Sequence, residues 1–416
     1  MTHETIESGS RTEPSTSTES VEQLRSFWNL DPDTIYLNHG SFGPSPLPVQ
    51  KARNEWTERL ERQPMRFFCQ EMEEHLEITA AKLAGFLHTK PERLALIDNA
   101  TVAMNVVADS VVLGAGDEVL LTDHEYGAVR NIWSRKCQST GARLQSVEIP
   151  LSLGSTRDKT TTEDSESEIV DAIERRITPR TRLIVVSHVT SATSCILPVK
   201  AICRMAQRHG VLVCIDGPHA VAMLDIFMED IGCDFYCASC HKWLCAPFGS
   251  GFLWVHPRHH GKVRCPVVSW GGSIAGRAAS WQDRINWLGT RDPAALLAIG
   301  AAIDFFTPER LQTFRSHAHR LVTMARSELL KHPHTGPFFN PAPDTYVSMC
   351  GMELPQPDGW KPGYHGHPDP LQLSLRKDFG IEIPVASWNG HRYLRISAHL
   401  YTTEADIRRL LEAISL

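Results

Sequence analysis

The stretch "CASCHKWLC" at residues 237–245 holds three cysteines, one histidine and one lysine in nine residues. It reads either as a metal knuckle or as the setting of a single chemically active lysine. Adding Cys233 gives the series Cys233, Cys237, Cys240 and Cys245, spaced C-x3-C-x2-C-x4-C. Structural zinc sites pair two short C-x2-4-C spacings across a longer loop, which this series does not do. The residues just before it, "DFYCAS" (234–239), are a β-type run that sends alternate side chains to opposite faces. The cysteines therefore read as small core residues, and Lys242 is the point of the segment. "HPRHHGK" (256–262) is a second metal decoy and reads as a polar surface turn. No metal site is expected.

Similar runs lie upstream and downstream: "RLALID" (93–98), "EVLLTD" (118–123), "RLIVVSH" (182–188), "VLVCID" (211–216) and "GFLWVH" (251–256). Helical periodicity over 101–113, 168–177 and 199–209 separates several of them. Strands alternating with helices predict a mostly parallel sheet covered on both faces. From about residue 295 the pattern changes. "AALLAIGAAIDFF" and "RLQTFRSHAHRLVTMARSELL" read as long helices. A strand, a Pro/Gly-dense loop (353–370), a helix, another strand and a last helix follow. The expected organisation is a disordered Ser/Thr/Glu-rich tail (1–20), a segment near the active site (21–45), a large α/β domain (46–295) and a small C-terminal α/β domain (296–416). "SLGSTRDKTTTEDSESE" (152–168) reads as a solvated loop, and 353–370 as a loop over a site.

The bulk numbers exclude several classes. With 416 residues the chain is long enough for two domains, and 42% apolar with 22% charged residues is ordinary for a globular protein. A net charge of −6 offers no basic footprint for nucleic acid. No apolar run approaches the eighteen residues or so of a membrane span. The N-terminus lacks the basic and apolar regions of a signal peptide. Eleven cysteines then read as reduced thiols in the cytoplasm.

In open α/β sheets, ligands bind beyond the carboxyl ends of the strands. The polar residues expected there are Asn99, Ala100 and Thr101 opening a helix, Tyr126 in "HEYGA", the segment "SHVTSATS", Asp216 with Gly217 and His219, and Ser239, His241 and Lys242. Each alone has a plain reading: an N-cap for Thr101, a packed rim aromatic for Tyr126, a turn residue for Asp216, a solvated amine for Lys242, satisfied structural histidines for His219 and His241. Together they describe one cofactor. Pyridoxal phosphate needs an amine for its aldehyde, a carboxylate for its ring nitrogen, an aromatic over the ring and donors for the phosphate. Lys242, Asp216, Tyr126 and the set Ala100, Thr101, Ser239 and His241 supply these types. Asp216 and Lys242 stand 26 residues apart, one strand and its connection.

At this point the chain resembles the class V (cysteine desulfurase-like) aminotransferases, and within them the isopenicillin N epimerase-like branch. The pieces that carry the likeness, from about residue 34 to the end, are "YLNHGSFGPSP", "NATVAMN", "HEYGAVRNIW", "SHVTSATSCILPV", "IDGPHA", "ASCHKWLCAPFGSGFLWV", "WLGTRDPAALLAI" and "YLRISAHLYTTEADI". The resemblance implies the PLP-dependent transferase fold (aspartate aminotransferase fold type I): a large domain with a mostly parallel seven-stranded sheet and a small C-terminal α/β domain. It implies that Lys242 joins the cofactor, Asp216 pairs with the pyridine nitrogen and His219 touches the ring hydroxyl. Tyr126 takes the stacking position, where many relatives have His, and Ala100, Thr101, Ser239 and His241 bind phosphate. Gly289 and Thr290 match a "GT" that reaches the neighbouring subunit's phosphate, which implies a homodimer with shared sites. Arg395 matches the arginine that grips a substrate carboxylate, and Asn38 and His39 a loop near the substrate. Ser191 stands where the wider family has Asn, at a ring-contact position.

The implied activity is PLP-dependent chemistry at the α carbon of an amino acid, of the epimerase type, with Lys242 as base on one face. Tyr126, His39 and water stand open for the other face. A C–S lyase or desulfurase and a transaminase share the scaffold, because a fold does not set the reaction. "IPVASWNGHRYLR" holds no cysteine before Arg395, which argues against a thiol-relay desulfurase but not against β-elimination. Retention of lysine, aspartate and arginine together argues against a non-catalytic binding protein.

Overall fold

The computed structural model describes residues 19–150, 162–272, 278–331, 345–363 and 367–414. The expected disordered tail, up to residue 18, lies outside these, as do 152–161 of the first expected loop and 364–366 of the second.

Two strand systems organise the chain. The larger is a seven-stranded sheet built from β2 (Leu94–Ile97), β3 (Glu118–Thr122), β4 (Arg143–Val147), β5 (Thr181–Ser187), β6 (Leu212–Asp216), β7 (Phe235–Ser239) and β8 (Gly251–Val255), in the order β2-β8-β7-β6-β5-β3-β4. The run from β7 through β6, β5 and β3 to β4 is parallel, and β8 is antiparallel to both its neighbours. β2, β3, β7 and β8 are buried along their whole length. Helices cover both faces of such a sheet, so near-continuous apolar runs mark its strands. β4 is the exception. Its sequence "RLQSV" lies at the sheet edge and is half-exposed, so it carries no apolar run and periodicity does not announce it.

The smaller system is the antiparallel sheet β11-β12-β9, from β9 (Met349–Leu354), β11 (Val385–Trp388) and β12 (His391–Ser397). A two-residue parallel pair joins β1 (Ile35–Tyr36) to β10 (Ile381–Glu382) and ties the N-terminal segment to the C-terminal part. Three differences from the expected elements have physical reasons. The helix expected over 168–177 runs instead from Thr162 to Glu174 and takes in the end of the expected loop, because Ile169 and Ile173 fall on one face and bury into the core. "AALLAIGAAIDFF" is two short helices, Ala294–Leu297 and Ile299–Phe305, that meet at Ala298. The single strand expected near the C-terminus is the hairpin β11–β12, turned by Asn389 and Gly390, both at positive φ.

Cys233, Cys237, Cys240 and Cys245 are all fully buried, and all eleven cysteines are free thiols. Residues 257–262 form a short 3-10 turn whose His259 and His260 bond to Asp234 and the Val255 carbonyl. No helix among the described residues is long and apolar enough to cross a membrane.

Candidate active site

The carboxyl ends of β2, β3, β5, β6 and β7 open into one cavity of about 590 Å³. Thr101, Tyr126, Ser191, Asp216, His219, Ser239, His241 and Lys242 line it together with Ala100. Chain segments remote in sequence complete it. Gly40, Ser41 and Phe42 come from the N-terminal segment, and Arg395 comes from β12.

The floor is set by β2 and β8. The helix Ala100–Ser110 starts at the end of β2, capped by Asn99, whose Oδ1 accepts from the Val102 N–H at 3.0 Å. The Ala100 N–H donates to Ser239 Oγ at 3.0 Å, which leaves the hydroxyl proton of Ser239 free to donate. The helix start must come close to β7 and β8 for this bond. Gly251 permits it: a Cβ there would lie 2.5 Å from the Ala238 carbonyl and 3.0 Å from Asn99 Cα. The result is a helix N-terminus with hydroxyl donors beside it, suited to a phosphate. His241 faces the same space, and its Nδ1–H donates to the Ser250 carbonyl at 3.3 Å. Burial and Lys242 hold its ring down at about 4, so it is neutral. An adjacent phosphate would favour the imidazolium and make Nε2 a donor as well.

Asp216 ends β6 and is buried, and its carboxylate accepts no hydrogen bond among the described residues. Burial raises it to about 6, against the pull of Lys242. Beneath it sits Glu125, a second buried carboxylate bonded by the Ser187 N–H at 3.0 Å, the Ser187 hydroxyl at 2.8 Å and the Thr122 hydroxyl at 2.6 Å. Burial pushes Glu125 up to about 7, and Asp216 adds to this. A cationic partner in the cavity is what such a carboxylate lacks. Lys242 Nζ lies 3.0 Å from His219 Nε2. Desolvation and the charge of Arg395 pull the lysine down to about 7, with Asp216 opposing.

Arg395 is buried without a carboxylate partner among the described residues. Nη1 donates to the carbonyl (2.8 Å) and hydroxyl (3.2 Å) of Ser191, and Nη2 to Ser41 Oγ (2.5 Å) and Asn38 Oδ1 (3.4 Å). Its Nε has no partner among the described residues. Desolvation lowers it to about 10, so it remains charged. A buried cation held only by neutral oxygens is an anion site.

Two expected groups stand elsewhere. His39 is fully buried and does not line the cavity. Its Nδ1 lies 2.8 Å from the Tyr401 hydroxyl and its Nε2 3.1 Å from the Lys242 carbonyl, so it braces the lysine's backbone from behind. Gly289 and Thr290 are exposed and also outside this cavity. The next residue, Arg291, pairs with Asp98 and fixes their segment beside the helix Ala100–Ser110. No described residue of 353–370 lines the cavity; Trp360 and Asp369 instead pack beside β12 through bonds to each other and to Arg392. Sequence reasoning missed Ser41, Phe42 and Phe248, whereas Ser187 and Val189 fall within the expected segment "SHVTSATS". Ser41 and Phe42 follow the singled-out Asn38 and His39 directly, which is the signal that could have found them.

A family model described as "Aminotransferase class-V" matches residues 36–410. The chain belongs to the class-V aminotransferases. Among relatives in this family, an isopenicillin N epimerase of Amycolatopsis lactamdurans is 35% identical over 93% of this chain and 96% of its own. A probable chloroplastic L-cysteine desulfhydrase of Arabidopsis thaliana is 28% identical over 95% and 85%. Among solved structures, a C-DES mutant with glycine covalently linked to the PLP cofactor superposes with a TM-score of 0.79 at 20% identity, covering 96% of this chain and 99% of that one. An apo cysteine desulfurase from Thermococcus onnurineus gives 0.78 at 18%, covering 95% and 97%. The class-V chain thus has the fold type I architecture, and the donors around its cavity fit pyridoxal phosphate. A carboxylate and an arginine, each without an ion-pair partner among the described residues, face one space with an amine and a helix N-terminus with hydroxyls.

Proposed function

We propose that the protein is a pyridoxal-phosphate enzyme that moves the proton at the α carbon of an amino acid, of the isopenicillin N epimerase type. One observation carries the reading: Lys242, Asp216 and Arg395 converge on a single cavity in a chain 35% identical to an isopenicillin N epimerase. Bound there, the cofactor supplies an electron sink for the α carbon. The protein's own residues supply the rest. Lys242 would hold the cofactor, and its free amine would take or return a proton at the substrate α carbon on its own face. Asp216, as an anion, keeps the pyridine nitrogen protonated. Thr101, Ser239, His241 and the Ala100 turn would hold the phosphate, and His219, Ser191 and Tyr126 would contact the ring. Arg395 holds the substrate carboxylate through its planar fork, oriented by Ser41, Ser191 and Asn38. His39, with both ring nitrogens engaged, acts through Lys242, which leaves Tyr126 or water for the opposite face.

A homodimer belongs to this reading. Gly289 and Thr290 are exposed and anchored by the Arg291–Asp98 pair, a placement that suits presentation to a neighbouring phosphate site. The large domain then ends near residue 295 and the small one follows. Eleven free thiols support a reducing compartment such as the cytoplasm.

The second reading is β-elimination from a cysteine derivative, which the desulfhydrase relatives support. One experiment separates the two. The protein is incubated in heavy water with isopenicillin N, a panel of amino acids and cysteine conjugates, and followed by mass spectrometry. Deuterium at Cα with appearance of the other stereoisomer and no keto acid supports epimerisation. Pyruvate with ammonia or a thiol moves the protein to the lyases. Lys242→Ala is expected to leave a folded protein without borohydride-reducible cofactor attachment, and an attachment surviving in that variant would remove Lys242 from its role.

A further inference from the structure

His219 makes two contacts that together decide where its proton sits. The Trp243 indole Nε1 lies 3.3 Å from His219 Nδ1, and Lys242 Nζ lies 3.0 Å from His219 Nε2. An indole N–H only donates, so Nδ1 must be the accepting nitrogen. A neutral imidazole carries one proton, which then resides on Nε2 and points at the lysine. To accept that proton the lysine amine must itself be neutral, with its lone pair turned toward His219. Burial holds the ring neutral, because the imidazole sits well below its ordinary value.

We propose that Trp243 is a positioning residue that sets the tautomer of His219 and through it holds Lys242 as a neutral, lone-pair-bearing amine. The proposal rests on the assignment of Lys242 as the cofactor-linking amine. Trp243 follows Lys242 directly and is fully buried, packed beside His39 at 5.0 Å and Phe314 at 6.2 Å between ring centroids. Its ring therefore has no freedom to withdraw the N–H. Without that N–H, His219 can carry its proton on Nδ1 and turn a lone pair toward Lys242. A lone pair there favours the ammonium form, which is the wrong form for attack on an aldehyde.

The test uses Trp243→Phe, which keeps a buried ring and loses only the donor. The cofactor-free protein is mixed with pyridoxal phosphate across a pH series, and the rate of growth of the lysine-linked absorption band is recorded. The midpoint of the profile is expected to rise by about one unit from about 7, so that capture near neutral pH slows about fivefold. The same substitution in a His219→Leu background is expected to leave the midpoint where His219→Leu alone puts it. An unchanged midpoint in folded Trp243→Phe overturns the proposal, and so does an equal rise in the His219→Leu background. Nitrogen-15 shifts of the imidazoles in cofactor-free wild-type protein give an independent reading, with the His219 signals assigned by their loss in His219→Leu. A protonated Nε2 supports the proposal, and a protonated Nδ1 overturns it even where Trp243→Phe does not fold. Failure of wild-type protein to capture pyridoxal phosphate at any pH overturns the cofactor reading instead, while the nitrogen shifts still decide the role of Trp243.

Discussion

Two arginines on β12 lie three residues apart and meet opposite fates. Arg392 and Arg395 point to opposite faces of the strand, as an odd separation requires. Arg392 is buried against Asp369: Nε donates to Oδ2 at 2.8 Å and Nη2 to Oδ1 at 2.6 Å. Trp360 adds an indole N–H to Oδ2 at 2.9 Å. That guanidinium is a finished ion pair. Arg395, 5% exposed, faces the cavity with a carbonyl, hydroxyls and an amide oxygen around it and no carboxylate among the described residues. The first arginine holds the small sheet together, and the second is held ready by it. A buried charge that the protein does not neutralise is costly unless a ligand completes it, so Arg395 is read as a binding group and Arg392 as a structural one.

The comparison breaks most easily at Arg392. Arg392→Ala leaves Asp369 buried and unpaired and is expected to cost about 3–5 kcal/mol of stability, read as the midpoint of denaturant unfolding. The folded fraction should keep its turnover. If Arg392→Ala instead weakens substrate binding as much as it weakens the fold, the division between the two arginines is wrong. Arg395→Ala should do the reverse. Apparent affinity for the amino acid should fall by about 2–3 kcal/mol, some 30- to 160-fold in KM, with an unfolding midpoint at or above that of wild type. Unchanged affinity would take Arg395 out of the site.

The pH dependence sharpens the same contrast. Burial pushes the Asp369 carboxyl up, but its bonds with Arg392 and Trp360 outweigh this and hold it below its ordinary value. Its contribution is therefore present above the usual carboxylate range and lost as pH falls through its depressed folded value. Asp369→Asn should flatten that acid limb of the stability curve. Lys242 behaves oppositely. Its folded value is lowered to about 7, while the unfolded amine keeps its proton to about 10.4. Between these the unfolded chain binds more protons, so cofactor-free protein should gain stability as pH rises from about 7. Lys242→Met should remove that rise, and a rise persisting in the variant would assign it to another group. The smallest effect is expected at Ser41, whose hydroxyl accepts from Arg395 at 2.5 Å. Ser41→Ala should cost about 1 kcal/mol, near fivefold in KM, with no change in the pH profile.

Much of the fold is legible along the chain because its signals are local. Six of the seven strands of the large sheet carry apolar runs, since both faces of each are covered. β4 does not, because an edge strand needs no such run. Lys242, Asp216, His219, Ser239 and the Asn99–Ala100–Thr101 helix start are readable because a parallel sheet puts the ends of its strands on one side. Their position in the chain and their position in space are thus nearly the same information. The helix expected over 168–177 has its start hidden in a polar composition, since its first turns from Thr162 precede Ile169 and Ile173, which mark its buried face.

The sequence by itself determined the alternation of strands and helices, the family, and the residue types gathered around one cofactor. Only the tertiary structure decided what each polar group meets. Nothing in "HRYLRIS" distinguishes Arg392 from Arg395, because the carboxylate that satisfies one lies 23 residues earlier and the hydroxyl that orients the other lies 354 residues earlier. The same holds for His39, adjacent to the cavity loop in sequence yet turned behind Lys242, and for the proton on His219, which depends on one indole N–H. Periodicity and strand ends are properties of the local backbone. Charge state, tautomer and pairing are properties of the contact, and contacts between distant residues exist only once the chain has folded.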